Sequence, residues 1–206
     1  MKILIFGATG KAGRVVAAEA LARGHQVVAF VHKNAPPEHP QLTVVRGDAH
    51  NTRSIAQAAE GCDAVISCLS SWGTPHKDVL ASAMRAVIPA LEANNVHRIV
   101  TLTGNIAKAP GETLSWFNRA VHGFLVTVAP KVAHDAEDHM ALLAASNLNW
   151  TTVRSPVMVN GASNTYRLTS TVSIFGTITR QAIAACMLDL VTSDDWSKQA
   201  PLVRRP

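Results

Sequence analysis

Lys2-Ile3-Leu4-Ile5-Phe6-Gly7-Ala8-Thr9-Gly10-Lys11-Ala12-Gly13 is the stretch that decides the fold. Residues 2–6 form a short apolar run without polar alternation, the pattern of a strand covered on both faces by helices. Lys11–Arg23 follows as an Ala-rich helical pattern ended by Gly24. Between them stand three glycines at three-residue intervals. Gly7 suits a tight turn, Gly10 lets a phosphate approach the backbone where a Cβ would intrude, and Gly13 lets the helix pack closely. The helix N-terminus then offers unpaired N–H groups to a pyrophosphate. Gly7, Thr9, Gly10, Lys11, Ala12 and Gly13 are therefore candidate dinucleotide-binding residues.

Working outward, strand and helix keep alternating. Gln26–Val31, Leu42–Arg46, Asp63–Cys68, Arg98–Thr103 and Asn149–Arg154 read as strands. Asn51–Glu60, Asp78–Asn94 and Lys131–Ser146 read as helices, the first with Asn51 or Thr52 as its cap. Pro110 to Pro130 reads as irregular. Beyond Pro156 the pattern blurs into a strand near Tyr166–Thr171, a helix at Ile178–Thr192 and a terminal strand at Ala200–Val203. The expected fold class is α/β, a doubly wound parallel sheet of the Rossmann type. One domain spans residues 1–206, with 156–206 completing the substrate side.

Composition agrees. In 206 residues, 48% are hydrophobic and 16% charged, which excludes a disordered chain. No apolar run is long enough to span a membrane, and the first residues lack a signal-peptide pattern. Cys62, Cys68 and Cys186 are odd in number and without CxxC spacing, which favours neither a disulfide framework nor a zinc site. The expectation is a cytoplasmic protein that binds neither membrane nor nucleic acid, monomeric or homodimeric. The net charge of +5 is dispersed apart from Arg204 and Arg205, and a phosphate-bearing small ligand accounts for it.

The end of the second strand bears on which dinucleotide is bound. An acidic residue there would hold the ribose hydroxyls of NAD; this chain instead runs Val31-His32-Lys33-Asn34. Cationic His32 and Lys33, with Lys11 or Arg14 in reserve, suit a 2′-phosphate, so NADP(H) is expected over NAD(H).

These residues carry a resemblance. The turn GATGKAG, the Gly47-Asp48 pair, Asp63-Ala64-Val65-Ile66, and Ser146 through Pro156 (SNLNWTTVRSP) resemble the atypical short-chain dehydrogenase/reductases. More narrowly they resemble the NAD(P)H-binding, NmrA-like branch that includes the compact biliverdin reductase B and flavin reductase members. The resemblance covers nearly the whole chain. It implies that Asp48 and Ala49 contact the adenine and that Leu69 and Ser70 line the ribose side. It also implies that Thr103 and Gly104 lie near the nicotinamide, with Pro156, Val157 and Met158 at its carboxamide edge. Thr103, Lys131 and His134 are the candidates it leaves for a catalytic role.

Two positions depart from that branch: Gly104 stands where a serine is expected, and Val157 where a histidine is expected. The Tyr-x-x-x-Lys dyad of typical short-chain dehydrogenases is missing too, since the single tyrosine, Tyr166, has no lysine at the required spacing. Alcohol–ketone chemistry by that route is disfavoured. A flavin-like or quinone-like planar acceptor is less demanding, because it takes a hydride and draws its proton from water. The alternative is a dinucleotide-binding redox sensor without catalysis.

Two further features have modest readings. In His134-Asp135-Ala136-Glu137-Asp138-His139, i,i+4 pairs could share a metal, but no third ligand group is evident. An acidic first helical turn complementing the helix dipole is the simpler account, and no metal is expected. Trp116, Phe117 and Phe124 either cover the nicotinamide as a lid or form a satellite packing cluster.

Overall fold

β1 (Lys2–Phe6) is the centre from which the chain winds in both directions. A computed structural model describes residues 1–72, 74, 76–171 and 175–206. Along β1, Ile3 and Ile5 point to one face and Leu4 and Phe6 to the other, and all four are fully buried. Such a strand needs helices on both sides. On the first face, Ile3 and Ile5 meet Val16 and Ala20 of α1 (Gly13–Ala22) and Ile183 and Met187 of α6 (Arg180–Val191). On the second, Leu4 and Phe6 meet Ile55 of α2 (Thr52–Ala59) and Met84 and Leu91 of α3 (Val79–Ala93). Leu143 of α5 (Pro130–Ala144) closes that side.

The chain passes from β1 outward to β2 (Gln26–Val31) and β3 (Leu42–Arg46). It then returns to β4 (Ala64–Ser67) on the other side of β1 and continues through β5 (Arg98–Gly104) and β6 (Asn149–Ser155). The sheet order is β3-β2-β1-β4-β5-β6-β10-β8, with β10 (Leu202–Arg204) parallel to β6 and only β8 (Arg167–Thr169) antiparallel. The direction of winding reverses between β1 and β4, and a crevice opens there at the carboxyl ends of the strands. The fold is the expected doubly wound α/β sheet.

Several expected elements shift. The segment read as irregular contains α4 (Trp116–Val128), started by Ser115, whose hydroxyl accepts the Asn118 N–H at 3.3 Å. None of its residues is buried, although its aromatic residues and most of its valines share one side. Its aromatic, β-branched and glycine residues are weak helix formers, which hides it from a propensity reading. The expected helix at 178–192 divides into β9 (Thr177–Thr179) and α6, where the Thr179 hydroxyl accepts the Ala182 N–H at 3.1 Å. A three-residue strand cannot announce itself by periodicity, and the same holds for β7 (Val157–Val159), its partner in a separate two-stranded sheet. α1 begins at Gly13 and not at Lys11. α2 is capped by Asn51, whose side chain accepts the N–H groups of Arg53 and Ser54.

Candidate dinucleotide site

The first turn is shaped by two glycines. Gly7 has φ of +72°, and a Cβ there would lie 2.9 Å from the Cys68 carbonyl oxygen on the neighbouring strand end. A Cβ on Gly13 would lie 2.0 Å from the Gly7 carbonyl oxygen and 2.7 Å from its carbon, so the helix sits on the turn at a distance only glycine permits. Gly10 is different. Its Cβ would meet only the Gly7 carbonyl oxygen, at 3.2 Å, and the residue is exposed. The side chain at the helix cap is Ala12, which has no oxygen to accept an N–H, whereas Asn51, Ser115 and Thr179 cap their own helices. A helix start with a glycine cradle and no side-chain cap fits a phosphate-bearing ligand.

The other candidates are distributed along the same edge. His32 and Lys33 follow β2 and are exposed, as are Lys11 and Arg14 at the start of α1. Asp48 follows β3. Its Oδ1 accepts the His50 backbone N–H at 2.9 Å and pairs with His50 Nδ1 at 2.7 Å, while His50 Nε2 lies 3.0 Å from Ser82 Oγ on α3. Those His50 contacts, and then the charges of His50 and His32, hold the Asp48 carboxyl below its ordinary range. Ala49 and Leu69 are half-buried against the α2–α3 face and Ser70 is exposed just beyond β4.

On the far side, Gly104 closes β5 opposite Ser155 of β6, and a Cβ on it would meet nothing within 4 Å. Thr103 is buried, Pro156 is buried, Met158 is half-buried and Val157 is exposed. The Ser155 hydroxyl donates to the Pro156 carbonyl at 2.8 Å. Lys131 and His134 are both exposed on α5. Among the described residues, no hydrogen bond or ion pair links either to Thr103 or Gly104.

The acidic stretch on α5 does something other than expected. The helix begins at Pro130, so Asp135 lies beyond its first turn and cannot serve the dipole there. Asp135 is instead buried and accepts the Leu80 N–H at 3.1 Å and the Ala81 N–H at 2.8 Å, which caps α3 from outside; the Ser71 hydroxyl also donates to it. The i,i+4 partners part ways: His134 and Asp138 face solvent, while His139 is buried between Thr101 Oγ1 at 2.9 Å and the Ala136 carbonyl at 3.0 Å. Burial holds the His139 ring below its ordinary pKa, and hence neutral.

Residue-type reasoning misses one clamp. Arg154, the β6 partner of Thr103, is buried and reaches Glu112 with two parallel contacts of 2.7 and 2.8 Å. It also donates to the carbonyls of Ala107 and Ala200. Glu112 accepts the Ala109 N–H at 3.0 Å, so the loop that follows Gly104 is tied to the sheet. The arginine stands in the quoted SNLNWTTVRSP stretch, but its partner lies in a segment without a pattern.

Residues 7–194 match the NAD(P)H-binding family. The chain belongs to that family. A maize protein described as an isoflavone reductase homolog is 32% identical over 108 residues, 47% of this chain and 33% of that protein. The chain thus spans about a third of the length of that relative. Among solved structures, a short-chain dehydrogenase/reductase from Veillonella parvula in complex with NADP superposes with a TM-score of 0.80 at 19% identity, covering 100% of this chain and 94% of that one. ChuY from Escherichia coli O157:H7, described as an anaerobillin reductase, superposes with a TM-score of 0.77 at 22% identity, covering 100% and 98%. Both likenesses are of fold. Membership of the NAD(P)H-binding family fits the glycine cradle of the first turn. Among the described residues, no helix is long and apolar enough to cross a membrane.

Proposed function

We propose that this protein is an NADPH-dependent reductase of a planar, flavin-like or quinone-like acceptor. The observation that carries the reading is the carboxyl edge of the sheet: a capless helix start on a Gly7–Gly13 cradle at one end, and open space over Gly104 at the other. The N–H groups at the start of α1 hold the pyrophosphate, with Thr9, Gly10, Lys11 and Ala12 around it. His32 and Lys33 face the 2′-phosphate, which favours NADP over NAD. Asp48, fixed by His50, and Ala49 receive the adenine, and Leu69 and Ser70 the ribose side. Thr103, Gly104, Pro156, Val157 and Met158 line the nicotinamide end.

Bound NADPH supplies a hydride to the acceptor, and the accompanying proton comes from water. The chain's part is to hold both rings and leave one nicotinamide face open. The missing side chain at Gly104 and the exposed Val157 support such a face, and the Ser155 proton is engaged by the Pro156 carbonyl. The three cysteines are buried free thiols, consistent with the reducing cytoplasm. The lack of an acid at Gly104 and Val157 also suits the second reading, a redox sensor that binds the dinucleotide without turnover.

Gly10→Val tests the site. The built Cβ has only the Gly7 carbonyl to accommodate, so the fold survives, while the branched side chain occupies the phosphate position. NADP(H) affinity by calorimetry is expected to fall about a hundredfold, the loss of two charge-assisted N–H contacts. Unchanged affinity removes the proposed site. NADPH oxidation with FMN or a quinone separates the two readings: binding without oxidation selects the sensor.

A further inference from the structure

We propose that Arg180 is a phosphate-binding residue, which receives an oxygen of the dinucleotide's diphosphate or of the acceptor's phosphate. This deepens the reductase reading and rests on it. Arg180 is the first residue of α6 and is half-buried. Its Nη1 donates to Asn160 Oδ1 at 2.7 Å, while its Nε is sealed from solvent without an acceptor. Nη2 is not among the sealed atoms and is bonded to no described residue, which leaves it for a ligand oxygen. Among the described residues Arg180 has no carboxylate partner, whereas Arg23 pairs with Glu19 and Asp189, and Arg154 with Glu112. A guanidinium carries five N–H donors, and withdrawing one from water without an acceptor is costly. Bearing that cost for a single amide contact marks a side chain kept for a ligand.

The side chain is also held in place. Asn160 and Arg180 follow directly on Val159 and Thr179, the last pair of the β7–β9 register. A Cβ on Gly161 would lie 2.9 Å from Thr179 Cγ2, so the backbone after Asn160 lies against the start of α6. The Thr179 hydroxyl donates to the Ser163 carbonyl and accepts the Ala182 N–H, which pins the same turn. A cation fixed before its ligand arrives loses little freedom on binding.

The far end of α6 shows where its first residue lies. Arg98, which opens β5, donates through Nε and Nη2 to the Leu190 carbonyl at 3.1 and 2.6 Å, so α6 ends at the amino edge of the sheet. From Leu190 the helix runs about 15 Å back to Arg180, towards the carboxyl edge where β5 closes on Gly104. Asp189, one residue before Leu190, pairs with Arg23 just past the end of α1. α1 is ten residues long and Asp189 is the tenth residue of α6, so the two helices also begin level with each other. Ala8 and Ala12 of the phosphate turn share one buried cluster with Ile178 and Ala182 beside Arg180. Arg180 therefore stands at the carboxyl edge between the Gly7–Gly13 turn and Gly104, where both candidate phosphates would lie.

Arg180→Gln is the test, with NADP⁺ titrated by calorimetry and then FMN into the NADP⁺ complex. One of the two ligands is expected to bind about tenfold more weakly, the loss of one charge-assisted contact. A loss for NADP⁺ assigns the diphosphate to Arg180. A loss for FMN, with riboflavin unchanged, assigns the acceptor's phosphate. Arg180→Lys, which keeps the charge but not the fork, falls between wild type and Arg180→Gln. Arg205→Gln, the same charge change at an exposed site, shifts neither ligand more than twofold. Because Nε has no acceptor, Arg180→Gln is expected to keep or raise the thermal midpoint. Unchanged affinity for every ligand that wild type binds overturns the proposal, as does an equal loss in Arg205→Gln or an equal loss for riboflavin and FMN. A lowered midpoint with affinities intact makes Arg180 structural and overturns it too. A wild type that binds neither NADP⁺ nor FMN removes the dinucleotide reading itself, whereas failure of Arg180 alone leaves wild-type binding in place.

Discussion

At the β1 end of the crevice the backbone does the shaping, and at the β5–β6 end side chains do. Around Gly7 and Gly13 the chain touches itself so closely that a single carbon on Gly13 would stand 2.0 Å from a carbonyl oxygen. Around Gly104 a carbon would touch nothing within 4 Å, and the loop that follows it is held by side chains, through the Arg154–Glu112 clamp. A dinucleotide phosphate is the same in every substrate pair, so a fixed backbone cradle can hold it. The acceptor varies, and exposed side chains on loops are where a fold of this kind can change its partner without changing its sheet.

The largest expected effects test both halves for stability. Glu112→Ala leaves the Arg154 guanidinium, 2% exposed, without its carboxylate, which should cost about 3–5 kcal/mol. Gly13→Ala forces the helix off the turn and should cost about 3 kcal/mol as an overpacking defect. Urea midpoints measure both. If Glu112→Ala unfolds at the wild-type midpoint, the clamp does not hold the acceptor loop, and the contrast between the halves loses one of its supports. A Gly13→Ala protein of wild-type stability would show that the turn yields where its packing says it cannot.

A smaller effect concerns the outer end of the cofactor half. Lys33→Asp, or His32→Asp, replaces a cation with a repulsive charge at the proposed 2′-phosphate position. The ratio of NADP to NAD affinity should fall about tenfold, within the range of one charge-assisted hydrogen bond. Ratios equal to wild type in both variants would move the phosphate contact to Lys11 and Arg14.

What the sequence made legible follows the same division. The turn could be read because glycine is the residue type that its contacts require, and because β1 is buried on both faces. The Asn51 cap could be read because its partners are two and three residues away. Asp135 could not, since the Leu80 N–H it caps lies 55 residues earlier in the chain and only the packing of α5 against α3 brings them together. Glu112 was hidden for the same reason. α4 was missed because its aromatic and β-branched residues and Gly123 are weak helix formers, and β7 and β9 because three residues are too few for a period.

The smallest expected effect is the sharpest statement about chemistry. Tyr166 is the single tyrosine, and its hydroxyl donates to Asp189 Oδ2 at 2.6 Å, while Asp189 Oδ1 pairs with Arg23 at 2.6 Å. Arg23 follows the last residue of α1, and the helix's ten residues at about 1.5 Å rise put roughly 15 Å between that end and the phosphate turn. Burial, and then the bond to the Asp189 carboxylate, raise the phenol above its ordinary pKa. A proton so held, at the wrong end of α1, cannot serve an acceptor over Gly104. Tyr166→Phe should therefore leave the turnover of FMN or a quinone within twofold of wild type, with NADP(H) affinity unchanged, although loss of the Asp189 contact lowers the thermal midpoint slightly. A tenfold or greater loss in kcat at constant cofactor affinity would mean that the tyrosine reaches the reacting atoms, and that the acceptor half closes over them in a way its open geometry at Gly104 does not suggest.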